Sequence, residues 1–359
     1  MGLRRLDYVP VLKWRGGECL ALERLTDEDK DWITPLLEIT PPEFDFETRT
    51  LKKTLDQHFA PFGKRLKTKW GTRPAFLDTR FLSPTDRLLD ATHPLAFLMT
   101  AARAVGARLT PVTSLQRDVA HDNALAEAID RDGRGLALRC SLDELADPGF
   151  DTSVRERLES FGHDAASADL LIDLADTSLE PAEDLADLLI GCLKSAPIVN
   201  EVRSLVLLGT GFPRSMGEVK KGVQLIPRKE WKLYKALAAK LPAGVRRPTF
   251  GDYAISSPEL VSGDMRRLKP AATVRVAVED AWMIAKGGAS RGNHAQFKTL
   301  CGQIMAKSPL AEGLSAGGDY IRLCAEGRAS TGNQTTWRWV GTNHHLTTVL
   351  ADLAKLYAP

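Results

Sequence analysis

The chain has 359 residues, 43% of them hydrophobic and 26% charged, with 48 Lys and Arg against 46 Asp and Glu. That length suits one large core with an appendage, or two domains at about 100–200 residues each, and the composition excludes wholesale disorder. No apolar run approaches the roughly 20 residues of a membrane span, and the opening MGLRRLDYVPVLKW lacks the apolar stretch of a secretory signal and the Ser or Thr that a myristoylation signal needs at position 6.

Tyr8–Thr40 reads as one strand–helix–strand unit. Tyr8–Trp14 is a short apolar run ending in Lys13 and Trp14, Gly16-Gly17 interrupts it, and a second apolar run over Ile33–Ile39 carries Glu38 near its end. Two apolar strands joined by a crossover of helix length predict a parallel pair. Leu51–Lys69 spaces Leu51, Leu55, Phe59 and Phe62 along one face of a basic amphipathic helix. Arg73–Arg80 predicts a third strand with Asp78 and Arg80 at its end, and the alanine-rich Ala91–Val105 a helix.

Arg108–Leu115 is the fourth predicted strand, Asp118–Arg131 an acidic helix and Gly135–Cys140 the fifth strand, after which Ser141 and Glu144 form an S-x-x-E capping box. Ala168–Leu174 is the sixth strand, Pro181–Ile190 a helix and Ser204–Gly209 the seventh strand. A brief apolar run at Val223–Ile226 and a helix at Glu230–Leu241 precede the eighth, Thr249–Ile255. Eight short apolar strands alternating with helices predict an α/β fold, a (β/α)8 TIM-like barrel over residues 1–257. An open dinucleotide-binding sheet would need an early G-x-G-x-x-G, which is absent.

Beyond Pro258 the rhythm changes. Ala272–Val278 and Trp282–Lys286 are separated only by a short turn containing Glu279-Asp280, which predicts a hairpin. Helices at Ala295–Ala306 and Gly318–Ala325, a polar loop at Ser330–Thr336 and a last helix at His345–Tyr357 complete a C-terminal α+β extension over 258–359.

Catalytic groups of such barrels project from the C-terminal ends of the strands. That rule selects Lys13, Glu38, Asp78, Arg80, Arg139, Asp173 and Asp252, with Tyr253 beside the last. The acids could position water or a divalent metal through oxygen ligands, and the cations a phosphate or carboxylate. The competing reading is a set of ion pairs closing the barrel mouth. In the C-terminal motif Trp337, Arg338, Asn343, His344 and His345, two adjacent histidines point about 100° apart and cannot easily share one metal. Asn343 reads either as the N-cap of the last helix with packed histidines behind it, or as the neighbour of a histidine facing a cleft.

Charge is unevenly placed: Arg117–Ile190 holds 19 acidic against 6 basic residues, and Phe212–Leu310 holds 7 against 18. A basic half can neutralise phosphates, and the candidates are Arg214, Lys220, Lys221, Arg246, Arg247, Arg266, Arg267, Lys286 and Arg291. The alternative is solvated helix surface. The loop Gly209–Gly217 is glycine-rich and follows a strand, as a phosphate cradle would, yet it lacks the G-K-[ST] ending. Five scattered cysteines without a C-x-x-C pair suit reduced thiols and a cytoplasmic location.

The segments YVPVLKW, ITPLLEI, GDYAISSPE, WMIAKG and the closing WRWVGTNHHLT, in this order, resemble the beta protein family of phage and bacterial proteins. The resemblance spans nearly the whole chain. It implies a role in phage–host conflict and carries over no catalytic residue. Two functional expectations follow. The chain is a phage-related or antiviral defence protein recognising nucleic acid or a partner protein; alternatively, it is a barrel hydrolase or transferase acting on a phosphate-bearing or nucleotide-like substrate.

Overall fold

The computed structural model describes residues 3, 7–175, 177–260 and 270–358. The chain forms two compact units: residues 1–14, 33–209 and 233–252 make the first, and residues 15–32, 210–232 and 253–359 the second.

The first unit is a closed barrel of eight parallel strands. They are β1 (Tyr8–Lys13), β2 (Leu36–Glu38), β3 (Pro74–Asp78), β4 (Arg108–Thr113), β5 (Ala137–Ser141), β6 (Asp169–Asp173), β7 (Ser204–Gly209) and β9 (Thr249–Asp252), while β8 (Gly222–Pro227) lies in a separate sheet. Around the barrel they run β1-β9-β7-β6-β5-β4-β3-β2. A parallel barrel is covered on both faces, which is why its strands are near-continuous apolar runs rather than alternating ones. Gly251 marks the tightest point of the wall, because a Cβ there would stand 2.6 Å from the Val9 carbonyl oxygen and collide with the Leu208 side chain.

Local chemistry decides how the connections end. Ser141 accepts from the Glu144 amide at 3.1 Å, and Glu144 accepts in return from the Ser141 amide at 2.6 Å, completing the expected capping box. The single helix expected over Leu51–Lys69 is not formed. Thr50–Leu51 pairs with Phe44–Asp45 in a short hairpin, a Thr54–Gln57 capping box starts Leu55–Phe59, and a second helix begins after Pro61 at Phe62–Lys69. Pro61 has no N–H to continue the first helix.

The second unit holds helix α1 (Gly16–Glu23) and a three-stranded antiparallel sheet, in which β11 (Ala281–Ala289) lies between β8 and β10 (Ala271–Val278). Three later helices follow. Two of them, Gln296–Lys307 and Ala316–Glu326, agree with expectation to within two residues. The last is longer than expected: it runs over Gln334–Leu356 and is capped by Asn333, which accepts from the Thr336 amide at 3.0 Å. The Trp, Val and Thr residues of this stretch are mediocre helix formers, so tertiary burial overrides propensity. Trp337, Trp339 and Val340 join Val274, Ala285, Ile304 and Ile321 in the unit's core. Gly317 lets the preceding helix approach closely, since a Cβ there would strike the Val340 carbonyl and stand 3.0 Å from the His344 nitrogen.

Candidate active site at the barrel mouth

Strand direction places the last residues of all eight barrel strands at one end. Register then aligns charges: Lys13 is opposite Glu38, and Glu38 is opposite Asp78, so β1, β2 and β3 present one charged row. On the far side Ser141 is opposite Asp173. Arg139 lies two residues before Ser141 and therefore shares the face of Asp173.

Arg139 is the hub. Its Nε and Nη2 donate to Asp173 Oδ2 at 2.9 and 2.7 Å, and its Nη1 donates to Asp78 Oδ2 at 2.7 Å and Glu38 Oε1 at 3.0 Å. Strand β4 stands between β5 and β3, so the guanidinium reaches these acids through the barrel interior. Arg80 adds a second cation to Glu38, its Nε donating to Oε1 at 2.7 Å, and stacks on Phe81 with its guanidinium carbon 4.3 Å from the ring centre. Lys13 Nζ stands 5.8 Å from the same ring centre. Tyr8 donates its hydroxyl to Asp252 Oδ1. Glu38, Asp78 and Asp252 are buried almost completely. The buried Oε2 of Glu38 nevertheless has no hydrogen-bond partner among the described residues.

Sequence reasoning found no histidine here, yet two stand beside the mouth. Helix α2 (Pro94–Ala104) begins after His93, whose Nδ1 accepts from the Leu95 amide at 3.2 Å. Helix α3 (Val119–Asp132) begins after Asp118, whose carboxylate accepts from the His121 amide at 3.0 Å. The two rings meet edge to face with centres 5.9 Å apart. Burial, reinforced by Arg117 and His93, lowers the His121 pKa to about 4; burial and Arg87 also lower that of His93. Arg117 Nη2 donates to Asp78 Oδ1 at 3.4 Å, which ties this group to the hub. The position three residues after the helix N-cap Asp118 was the available signal for His121, and a rule restricted to strand ends passes over it.

Among the described residues no three His, Cys, Asp or Glu side chains come together as a metal site. At the mouth the acids that could supply oxygen ligands are bridged by Arg139.

The other candidates are dispersed. Tyr253 is fully buried in the second unit. Arg246 donates to the Val202 and Arg203 carbonyls, and Arg247 donates to the Ala238 carbonyl at 3.3 Å. Both flank the start of β9, the end of the barrel opposite the charged ring. Lys286 donates to the Met216 and Val219 carbonyls at 2.5 Å each, closing the loop before β8. Arg214, Lys220, Lys221 and Arg291 are exposed, and Arg266 and Arg267 lie outside the described residues. In the glycine-rich loop, the Gly211 amide donates to Glu230 and the Ser215 amide to Glu218, so carboxylates occupy donors that a phosphate cradle would use.

The C-terminal motif is part of the second unit's interior. Asn343 does not cap a helix: its amide donates to the Ala21 carbonyl at 3.1 Å and its carbonyl accepts from the Gly317 amide at 2.8 Å. Trp337 stacks on Phe297 with ring centres 4.6 Å apart. Arg338 donates to the Ile255 carbonyl at 3.0 Å. His345 accepts from Trp282 Nε1 at 3.4 Å, while burial, with His345 and Arg228, lowers the His344 pKa to about 4.

No curated protein matches the sequence. Among solved structures the YdjI aldolase from Escherichia coli K12 is similar at 10% identity and a TM-score of 0.35, over 98% of this chain and 91% of that one. The family model for Beta protein matches residues 8–351, nearly the whole chain, and the chain therefore belongs to that family.

Proposed function

We propose that the barrel mouth is a catalytic site, and that the protein is a hydrolase or transferase acting on a small phosphate-bearing or nucleotide-like substrate. The supporting observation is the Arg139 hub, in which three acids from three strands are drawn inward around one guanidinium while Glu38 Oε2 stays unpartnered. Buried ion pairs seldom stabilise a fold more than apolar residues of equal volume. A cluster of them at a barrel's strand ends fits a site kept for chemistry. In this reading Arg80 and Arg117, both on the partly exposed side of the ring, hold the anionic group. Glu38 accepts a proton through Oε2, and Arg139 orients the acids.

The test is turnover of a panel of phosphate monoesters, phosphodiesters and nucleotides by the purified full-length chain, with and without magnesium, alongside Glu38→Gln. Activity in the parent that falls by at least a hundredfold in Glu38→Gln supports the reading. Activity equal in both removes it.

A second reading is recognition of nucleic acid or a partner protein in phage–host conflict within the cytoplasm. The exposed Arg214, Lys220, Lys221 and Arg291 favour it. Binding of single- or double-stranded DNA or RNA that weakens steeply with salt and is lost in Lys220→Ala/Lys221→Ala would support it.

A further inference from the structure

Three polar groups near the mouth are buried without partners among the described residues: Arg117 Nε and both ring nitrogens of His121. Buried polar atoms are nearly always satisfied, and each one left bare costs about 1–3 kcal/mol. Three together, on side chains four residues apart, are a cluster of unmet demand.

Among the described residues the neighbouring carboxylates make no hydrogen bond to these three groups. Asp122 Oδ1 stands 3.8 Å from His121 Nδ1, beyond hydrogen-bond reach, and both Asp122 oxygens accept from Arg157 at 2.9 and 2.6 Å. Asp118 is used by the His121 amide. Asp78 accepts from Arg139 at 2.7 Å and from the Arg80 amide at 2.8 Å, leaving Arg117 one long contact of 3.4 Å. His93 accepts at Nδ1, so its neutral ring carries the proton on Nε2 as a further donor.

We infer that Arg117 and His121, with His93 beside them, form an oxyanion subsite that seats a phosphate group of the substrate. This rests on the catalytic reading of the mouth and specifies which end of the substrate binds where. A tetrahedral oxyanion offers acceptors for both Arg117 Nε and a His121 N–H, which flank Asp118 at the N-terminus of α3, a 14-residue helix whose dipole favours negative charge there. The Arg117 side chain keeps 19% of its surface exposed, so the subsite borders solvent. His93 closes the 79–93 connection between β3 and α2, a stretch without helix or strand, so the subsite's second wall is a loop. Phe81 and Arg80, in the same connection, leave a flat cationic surface next to the subsite for the remainder of a nucleotide-like substrate.

The experiment is a titration of the full-length chain with inorganic phosphate, followed by the long-range nitrogen–proton NMR signals of the imidazoles, with acetate and sulfate as parallel arms. Phosphate should shift the His93 and His121 signals and bind at least tenfold more weakly to Arg117→Gln and to His121→Gln, while the surface variant Arg131→Gln binds as the parent does. Acetate matching phosphate would make the subsite a carboxylate site and overturn the assignment, as would phosphate leaving both rings unmoved. The ring shifts are read in the parent chain, so the outcome does not depend on either variant folding. Phosphate binding here without turnover of any panel substrate would sink the catalytic reading and keep the subsite. Turnover that needs Glu38 yet is indifferent to Arg117→Gln would do the reverse.

Discussion

Arg139 Nη1 and Asp78 Oδ2 meet at 2.7 Å, 61 residues apart in sequence, with the strand β4 between theirs in the barrel wall. The same guanidinium serves Glu38 and Asp173, so its removal leaves three buried acids without their shared counter-charge. Arg139→Met is expected to destabilise the chain by about 3–5 kcal/mol, the usual cost of stranding buried charge. Arg139→Lys should lose less, because it keeps the charge without the planar fork. Urea unfolding of both variants checks this, and a loss below about 1 kcal/mol for Arg139→Met would mean the ring is effectively solvated.

Arg228 in the second unit offers a parallel case. Its side chain is fully buried, and Nη1 donates to Asp352 Oδ2 at 2.6 Å and to the Glu279 carbonyl at 2.9 Å. Asp352→Ala removes a charged partner and should cost about 3–5 kcal/mol. The same substitution at exposed Glu312, which pairs with Arg322 on the surface, should cost about 1 kcal/mol or less. Equal losses in thermal or urea unfolding would contradict the burial argument.

Acid should weaken the fold through two histidines. His121 and His344 both have folded pKa values lowered to about 4, chiefly by burial, against about 6.5 when unfolded. The unfolded chain therefore binds more protons between these values, so stability is full above about pH 6.5 and is lost as pH falls toward 4. Each group contributes up to about 3 kcal/mol at about 1.4 kcal/mol per pH unit. His344→Leu should flatten the profile between pH 6.5 and 4.5. A slope identical to that of the parent would show that His344 does not titrate as proposed.

The barrel wall sets a steric limit at Gly251. A methyl group there meets the Val9 carbonyl and the Leu208 side chain, so Gly251→Ala should cost about 1–3 kcal/mol by overpacking. Gly191, with open space around it on the helix Ala182–Ser195, is the control, where alanine should be neutral or stabilising by up to about 1 kcal/mol. Unfolding midpoints moving in the same direction for both would refute the distinction.

The barrel was legible because parallel strands must be apolar on both faces and must be joined by crossovers, two constraints written directly into the spacing of runs such as Ala168–Leu174 and Ser204–Gly209. Strand-end charges were legible for the same reason. Their pairing was not: only register and reach through the interior make Arg139 a hub. His121 escaped because it lies one helical turn into α3 rather than on a strand. The Asn343 misreading arose because Trp337–His344 looks like a poor helix until its burial against β10 and α1 is known. Basic residues such as Arg246 and Lys286 counted as surface charge in the sequence, whereas their donors are spent on backbone carbonyls.

The hydrogen bond from Asn343 to the Ala21 carbonyl spans 322 residues, and α1 packs along the last helix. On a ribosome, α1 is made 322 residues ahead of the Asn343 that holds it. Until that partner is made, therefore, Ala21 and Leu22 have no finished surface to bury against, and β8 likewise emerges before β11 can pair with it. Contacts of such long range form slowly because the chain between them must first be closed. Over that interval the nascent chain carries exposed apolar segments, and β1 likewise waits for β9 to close the barrel, so its dependence on chaperones should include both.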